Sequence, residues 1–228
     1  MLKSLISETK NIYNLLKING LPQFSSIDQS EPFGNLLGIF HLISQETIET
    51  NNKIKFESIF KIKKNVFYPI SDNSDFNIGI FFIPKGSRIP LHDHPQMLVI
   101  SKILTGSMNL TSIDFFDNRI QMELPKKLYD FIPMDGFADE VIKGKLNRRE
   151  IVYKNELIYL TPQKGNVHQF EAIENSAIFD ILVPKYDLID RFCNFYEIRQ
   201  IDDKDVSLKY LFPPPDYECY NMEKKLKF

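Results

Sequence analysis

LHDHPQM, residues 91–97, holds two of the four histidines in a chain of 228 residues. Alternate side chains of a strand face the same way, so His92 and His94 project together with Cα atoms about 7 Å apart, close enough to share one ion. Pro95 then ends regular pairing, because it cannot donate to a ladder. A third imidazole, His168, lies in LTPQKGNVHQF (160–170), where a Pro and Gly turn feeds another short strand. A histidine pair by itself is weak ground for a metal site, and the second turn-framed histidine strengthens it. His41, among Phe40, Leu42 and Ile43, is expected to be a packed or hydrogen-bonded histidine remote from the others.

The surroundings of the pair are those of a β protein. From Lys53 onward the chain runs in short β-branched and aromatic stretches divided by turn residues: IKFESIFKIKK, FNIGIFFIP, MLVISKILTGSMNLTSIDFF, LIYLTP and SAIFDILVP. With no helical pattern between them, these predict a sandwich or barrel over 53–228. The basic run Lys61–Lys64 fits a solvated strand edge. Residues 1–52 form a helical N-terminal extension. Leu2, Leu5, Ile6, Ile12, Leu15 and Leu16 mark one helical face over residues 2–18, and a second helix is expected over Asn35–Thr50. The charged, glycine-bearing stretch 134–155 (MDGFADEVIKGKLNRRE onward) is expected as an inserted hairpin or loop on the rim. Phe212-Pro213-Pro214-Pro215-Asp216 is a rigid extended segment, wall or linker.

Composition narrows the partners. A formal charge of −2 and a pI near 6.1 give no footprint for nucleic acid or an anionic membrane, which leaves a small or neutral partner and, as an expectation, a monomer. Cys193 and Cys219 are too few for a disulfide framework and agree with a reducing compartment, cytoplasm or nucleus. The N-terminus interrupts its apolar residues with Ser, Glu and Lys, so a signal peptide or anchor is not expected.

Gly86-SRIPL-His92-Asp93-His94 followed by Gly106 resembles the first cupin motif, and Pro162-QK-Gly165-NV-His168 followed by Asn175 resembles the second. The resemblance implies one mainly β domain, a cupin-type double-stranded β-helix (jelly-roll) barrel with N-terminal helices, spanning 1–228. Most cupins add a glutamate ligand, and its slot here falls on Val99. Three neutral imidazoles would then hold a divalent ion on one face and leave positions open, as dioxygen chemistry requires, although such a set also suits zinc.

The likeness narrows further. FNIGIFFIPKGSRIPLHDHPQM, SKILTGSM, the His168 segment, SAIFDILVPKYD, DRFC and FPPPDY, from Phe76 to Tyr217, are in order similar to the thiol dioxygenases that include cysteamine dioxygenase and the plant cysteine oxidases. That implies an Fe(II) enzyme inserting both atoms of O2 into a thiol to give a sulfinate. Its substrate would be the N-terminal cysteine of a protein or peptide, which would make it an oxygen sensor, or else cysteamine. A cupin module that binds a ligand without oxidising it is the rival from another class.

Three further residues enter through this resemblance as catalytic candidates: Asp180, Tyr186 and Cys193. Asp180 also stands out physically, because Ile178, Asp180 and Leu182 share one face of an apolar strand and a buried carboxylate is costly unless paired. It would hold a substrate amine, or else form an internal salt bridge with Arg191 or a lysine. The Tyr186 hydroxyl would face bound oxygen or sulfur. Cys193 matches a family cysteine that forms a thioether to a tyrosine two residues on; Phe195 occupies that position here, so no such crosslink is expected. Gln96 stands where the family has Gly, a strained choice if the backbone there needs positive φ.

Overall fold

Ser30 and Ser44 each turn a side-chain oxygen over the first turn of a helix, accepting hydrogen bonds from Phe33 N and Thr47 N. The segment expected as one helix is therefore two, α2 (Glu31–His41) and α3 (Gln45–Asn52), preceded by α1 (Leu2–Ile18). The computed structural model describes residues 1–18, 27, 29–116, 141–187, 191–211, 214 and 216–222. Among the described residues no helix is long and apolar enough to cross a membrane.

Phe56 and Ile59, three apart, are buried on one face of a five-residue helix, α4 (Phe56–Phe60), so IKFESIFKIKK is not a strand. Lys61–Lys64 accordingly forms an exposed turn rather than a strand edge. His41 is likewise exposed at the end of α2, not packed.

Among the described residues twelve strands follow: β1 (Asn65–Asp72), β2 (Asn77–Ile83), β3 (Arg88–His92), β4 (Leu98–Thr105), β5 (Ser107–Phe115), β6 (Val141–Tyr153), β7 (Leu157–Leu160), β8 (Val167–Ala172), β9 (Ser176–Val183), β10 (Phe195–Asp202), β11 (Asp205–Leu211) and β12 (Cys219–Asn221). They form one six-stranded sheet in the order β12-β1-β2-β9-β4-β7 and a second, closed on itself, in the order β10-β11-β6-β5-β8-β3. Side chains from both sheets, among them Ile83, Ile103, Leu110, Phe170 and Ile178, meet in the core between them. This is the mainly β, double-stranded β-helix expected from the motifs. Gly106 joins β4 to β5 at φ +81°, with no room for a Cβ against Asn175 and Ser176.

The expected rim insertion is corrected in part. Residues 134–140 lie outside the described residues, but Val141–Tyr153 is a strand of the closed sheet, laddered to β5 on one side and β11 on the other. Its Ile142 and Val152 are buried while charged residues fill the outer face, so composition hides the alternation. Phe212, Pro213 and Pro215 also lie outside the described residues.

The outer face of the first sheet is covered by the helices. Leu98, Ile100 and Leu104 of β4 and Phe179 and Ile181 of β9 pack with Leu5, Ile12, Leu36 and Phe40 in the largest apolar cluster. Lys102 sits on that same face, buried, and its ammonium donates to the carbonyls of Phe40 (3.2 Å), His41 (2.7 Å) and Ile43 (2.7 Å). These are carbonyls at the end of α2, where a cation is favoured. Lys102→Met removes the donor but leaves the acceptors buried, so we expect a loss of about 3 kcal/mol in urea unfolding. An unchanged midpoint would mean that water satisfies those carbonyls.

Candidate metal centre

β3 ends on His92, which pairs directly with His168 of β8, and directly opposed residues of an antiparallel pair face the same side. His94 lies beyond the strand, and its direction is set by Asn166 rather than by strand alternation. The Asn166 Oδ1 accepts from the His94 amide (2.9 Å), and its Nδ2 donates to the His94 carbonyl (2.8 Å). The three rings converge, with centroid separations of 4.8, 4.6 and 5.0 Å. One nitrogen from each lies within 4.8 Å of the others, an arrangement that can hold a metal ion.

Hydrogen bonding fixes two of the tautomers. His92 Nδ1 lies 2.8 Å from the Pro90 carbonyl, which can only accept, so Nδ1 carries the proton and Nε2 is bare. The Tyr186 hydroxyl lies 2.6 Å from the Asp93 carbonyl and 2.6 Å from His94 Nδ1. Its one proton goes to the carbonyl, so His94 Nδ1–H donates to the Tyr186 oxygen and Nε2 is left bare. That Nε2 is buried without a hydrogen-bond partner, as is His168 Nδ1. Burial pushes the His92 pKa down to about 4, and holds His94 and His168 well below the usual imidazole value, with charge on the neighbouring rings acting in the same direction. Neutral imidazoles with unpartnered ring nitrogens are the state a divalent ion needs. The donor set therefore fits a metal.

Asp93, between the two ligands, is fully buried. Its carboxylate accepts from Asn194 N (2.9 Å), Asn194 Nδ2 (3.1 Å to each oxygen) and the Tyr196 hydroxyl (2.7 Å). Burial pushes its pKa up to about 7 against the pull of these donors. Val99 occupies the slot of the cupin glutamate and is buried among Met97, Leu160 and Leu182, so no carboxylate enters there. Gln96 does adopt positive φ, +56°, the left-handed region in which a side chain costs about 1 kcal/mol or more.

Asp180 is buried on β9, paired across the sheet with Gly79 on one side and with Ser101 on the other, and Ser101 lines a pocket that His168 also lines. Burial pushes its carboxyl up to about 7, opposed by a hydrogen bond with the Ser101 side chain, and its Oδ1 has no partner. The salt bridge with Arg191 is not formed, because that guanidinium pairs with Asp187 and its Nε donates to the Lys185 carbonyl. Tyr186 meets the site through His94. Cys193 is in hydrogen-bonding contact with the Tyr186 hydroxyl, and burial, helped by the charge of Asp93, pushes its thiol up to about 12. It is protonated at neutral pH and is not a nucleophile. The Phe195 ring lies tilted to that of His92, with centroids 6.3 Å apart.

Sequence reasoning missed Asp93, Asn166, Asn194, Tyr196 and Ser101, the residues that orient rather than bind. The HDH and GNVH contexts were the available signals, since a polar residue locked beside a ligand is the usual way a metal site is oriented.

A family model described as PCO_ADO matches residues 41–221. A probable 2-aminoethanethiol dioxygenase of Dictyostelium discoideum is 32% identical over 160 residues, 69% of this chain and 66% of that protein. Plant cysteine oxidase 1 of Arabidopsis thaliana is 34% identical over 111 residues, 49% of this chain and 33% of that one. The chain thus spans less than two thirds of each relative. Among solved structures, an RmlC-like cupin protein of Desulfovibrio desulfuricans aligns over 57% of this chain and 89% of its own, at 12% identity and a TM-score of 0.35.

Tyr186→Phe keeps the ring and removes the oxygen that accepts from His94 Nδ1–H. We expect metal affinity, measured by chelator competition, to fall about tenfold or more. An unchanged affinity would mean that the His94 ring is held by packing alone.

Proposed function

This chain belongs to the PCO_ADO family, and on that premise we propose that it is a non-haem Fe(II) thiol dioxygenase that oxidises an N-terminal cysteine of a peptide or protein to cysteine sulfinic acid. The reaction is R–SH + O2 → R–SO2H. Sulfur supplies all four electrons that dioxygen takes up, so no external reductant enters, and the product stands at the sulfinic step of the thiol oxidation ladder. A target modified in proportion to oxygen would report the oxygen level.

The observation that carries this reading is the coincidence of unpartnered groups. Of five buried side-chain N and O atoms without a hydrogen bond among the described residues, three belong to His94, His168 and Asp180, and Ser101, the neighbour of Asp180 across the sheet, lines one pocket with His168. His92, His94 and His168 would hold the ion. Bound iron supplies acidification of the thiol and electron transfer between sulfur and dioxygen. Asp180 would hold the substrate ammonium, and Tyr186 would keep His94 aimed, its proton engaged by the Asp93 carbonyl. Cys193, protonated beside Tyr186, would serve as packing for that hydroxyl. An uncharged ligand set leaves a thiolate free to neutralise the ion, which a carboxylate at position 99 would oppose.

Mass spectrometry of iron-loaded protein with a cysteine-initiated peptide and with cysteamine, in air and under nitrogen, tests the reading. We expect a gain of two oxygen atoms on the peptide in air only, abolished in His92→Ala or His168→Ala. Gain on cysteamine alone would make the protein a small-aminothiol dioxygenase. No gain on either with iron bound would make it a ligand-binding cupin.

Only ionised Asp180 attracts an ammonium, and its pKa stands at about 7. A bound divalent ion favours the ionised carboxyl, so KM for cysteamine, whose amine stays charged to higher pH, is expected to fall as pH rises toward 7 and to level off there, and Asp180→Asn to remove that limb. Stability moves oppositely. A carboxyl whose folded pKa exceeds its unfolded value favours folding at low pH, and that contribution is lost as pH rises through about 7. Asp180→Asn should therefore unfold at higher denaturant than the wild type at pH 8, with little difference at pH 4.

A further inference from the structure

A cleft of about 300 Å3 opens beside the metal centre, lined by Phe67, Asn77, Phe81, Leu182 and Tyr186, with Asp72 and Lys185 at its edge. It meets the site at Tyr186. Tyr186 lines the cleft and turns its hydroxyl to His94, and Leu182 lies two residues from Asp180 on the same face of β9. The volume is at the lower end for ligand pockets, about 300–1,000 Å3, and exceeds what a four-heavy-atom aminothiol fills.

The chemistry of the lining is specific. Phe67 and Phe81 oppose one another across β1 and β2 with ring centroids 4.7 Å apart, forming an aromatic wall that Leu182 extends. A Cβ on Gly79 would overlap the Phe67 ring, so glycine there is what lets the ring lie flat along the strand next to Asp180's own pairing position. At the edge the Lys185 ammonium and the Asp72 carboxylate pair with each other at 3.0 Å, leaving no net charge to attract an ion. One polar feature is unanswered: Asn77 Oδ1 is buried with no hydrogen-bond partner. A buried acceptor without a donor costs free energy that a ligand N–H would recover. An apolar wall of two tilted rings, one acceptor and no net charge match a peptide unit with an apolar side chain.

We propose that this cleft is a specificity subsite for the residue that follows the thiol-bearing one, with Asn77 Oδ1 accepting that residue's backbone N–H and the Phe67–Phe81–Leu182 wall taking an apolar side chain. The proposal rests on the thiol-oxidising reading for the identity of the preceding residue. It selects Leu, Met or Phe at the second position over Gly. It disfavours Pro there, which has no N–H.

The test uses the iron-loaded full chain, tetrapeptides Cys-Leu-Gly-Gly, Cys-Gly-Gly-Gly and Cys-Pro-Gly-Gly, cysteamine, and dye-labelled Ser-Leu-Gly-Gly and Ser-Gly-Gly-Gly, which bind without being oxidised. Sulfinate formation gives KM and kcat, and fluorescence anisotropy gives binding independently of turnover. We expect KM for the Leu peptide to lie about fivefold or more below that for Gly, and the Pro peptide to be weakest. Asn77→Ala is expected to raise KM for the Leu peptide about tenfold more than it raises KM for cysteamine. Since the peptide series is run on the wild type, the proposal stays falsifiable even if the variant folds poorly. Peptides oxidised with a KM indifferent to the second residue would overturn the subsite and leave the enzyme reading intact. The Ser-Leu peptide binding more tightly than its Ser-Gly counterpart, with no thiol oxidised, would uphold the subsite and overturn the enzyme reading. Oxidation of cysteamine with no peptide bound would overturn the subsite.

Discussion

The carboxylate of Asp93 holds this site together. It is the residue between two ligands, and its position is fixed from a distant part of the chain by the Asn194 amides and the Tyr196 hydroxyl. Strand pairing joins β3 and β10 at a single position, His92 with Phe195, so the closure of the second sheet at that seam rests largely on this buried network. Closure in turn encloses a separate apolar core of Leu91, Ile113, Val167, Tyr196 and Leu208 behind the site. Loss of the network would free His92 and His94 and open that core at once. A carboxylate satisfied by several donors tolerates burial where an isolated one would not.

The charge distribution follows a consistent logic. Acidic groups near the triad are either engaged, as Asp93 is, or held back by burial, as Asp180 is. Among the described residues no carboxylate joins the three histidines, and Val99 fills the cupin glutamate's position with methyl groups. The interior that the ion would enter is therefore neutral apart from Asp180, whose ordinary ionisation burial suppresses. A divalent ion nearby and a substrate ammonium both favour the ionised form. Asp180 would thus gain its charge as the site fills, and the free energy withheld by burial would be returned on binding rather than lost.

Much of this was legible in residue order. Gly86, Gly106 and Gly165 of the two motifs all hold φ between 66° and 81°, the conformation that made them worth reading as turns. The first helix and the β-branched strands follow local pattern, which a sequence displays directly. What pattern concealed depends on contacts across sheets. β6 exposes most of its charged side chains and keeps few buried ones, so its alternation was masked by composition. Asn166 and Asn194 look like ordinary loop residues until closure brings them to His94 and Asp93, 72 and 101 residues away. Lys102 had a signal that went unread: a lone charge on the buried face of LVISKILT must have a partner, and only the folded helices supply it.

That lysine also explains why the helical segment belongs to the site rather than beside it. Every residue of β9 is buried, with Ile178, Asp180 and Leu182 on the face between the sheets and Ala177, Phe179, Ile181 and Val183 turned toward the helices. A strand apolar on both faces has little internal preference between its two registers. A slip by one residue would carry Asp180 into the helical core and Phe179 or Ile181 into the reaction space. Phe40 against Phe179 at 5.4 Å, and Lys102 clamped to the end of α2 on the adjacent strand, fit only one of those registers. The helices therefore decide which way the carboxylate of Asp180 points.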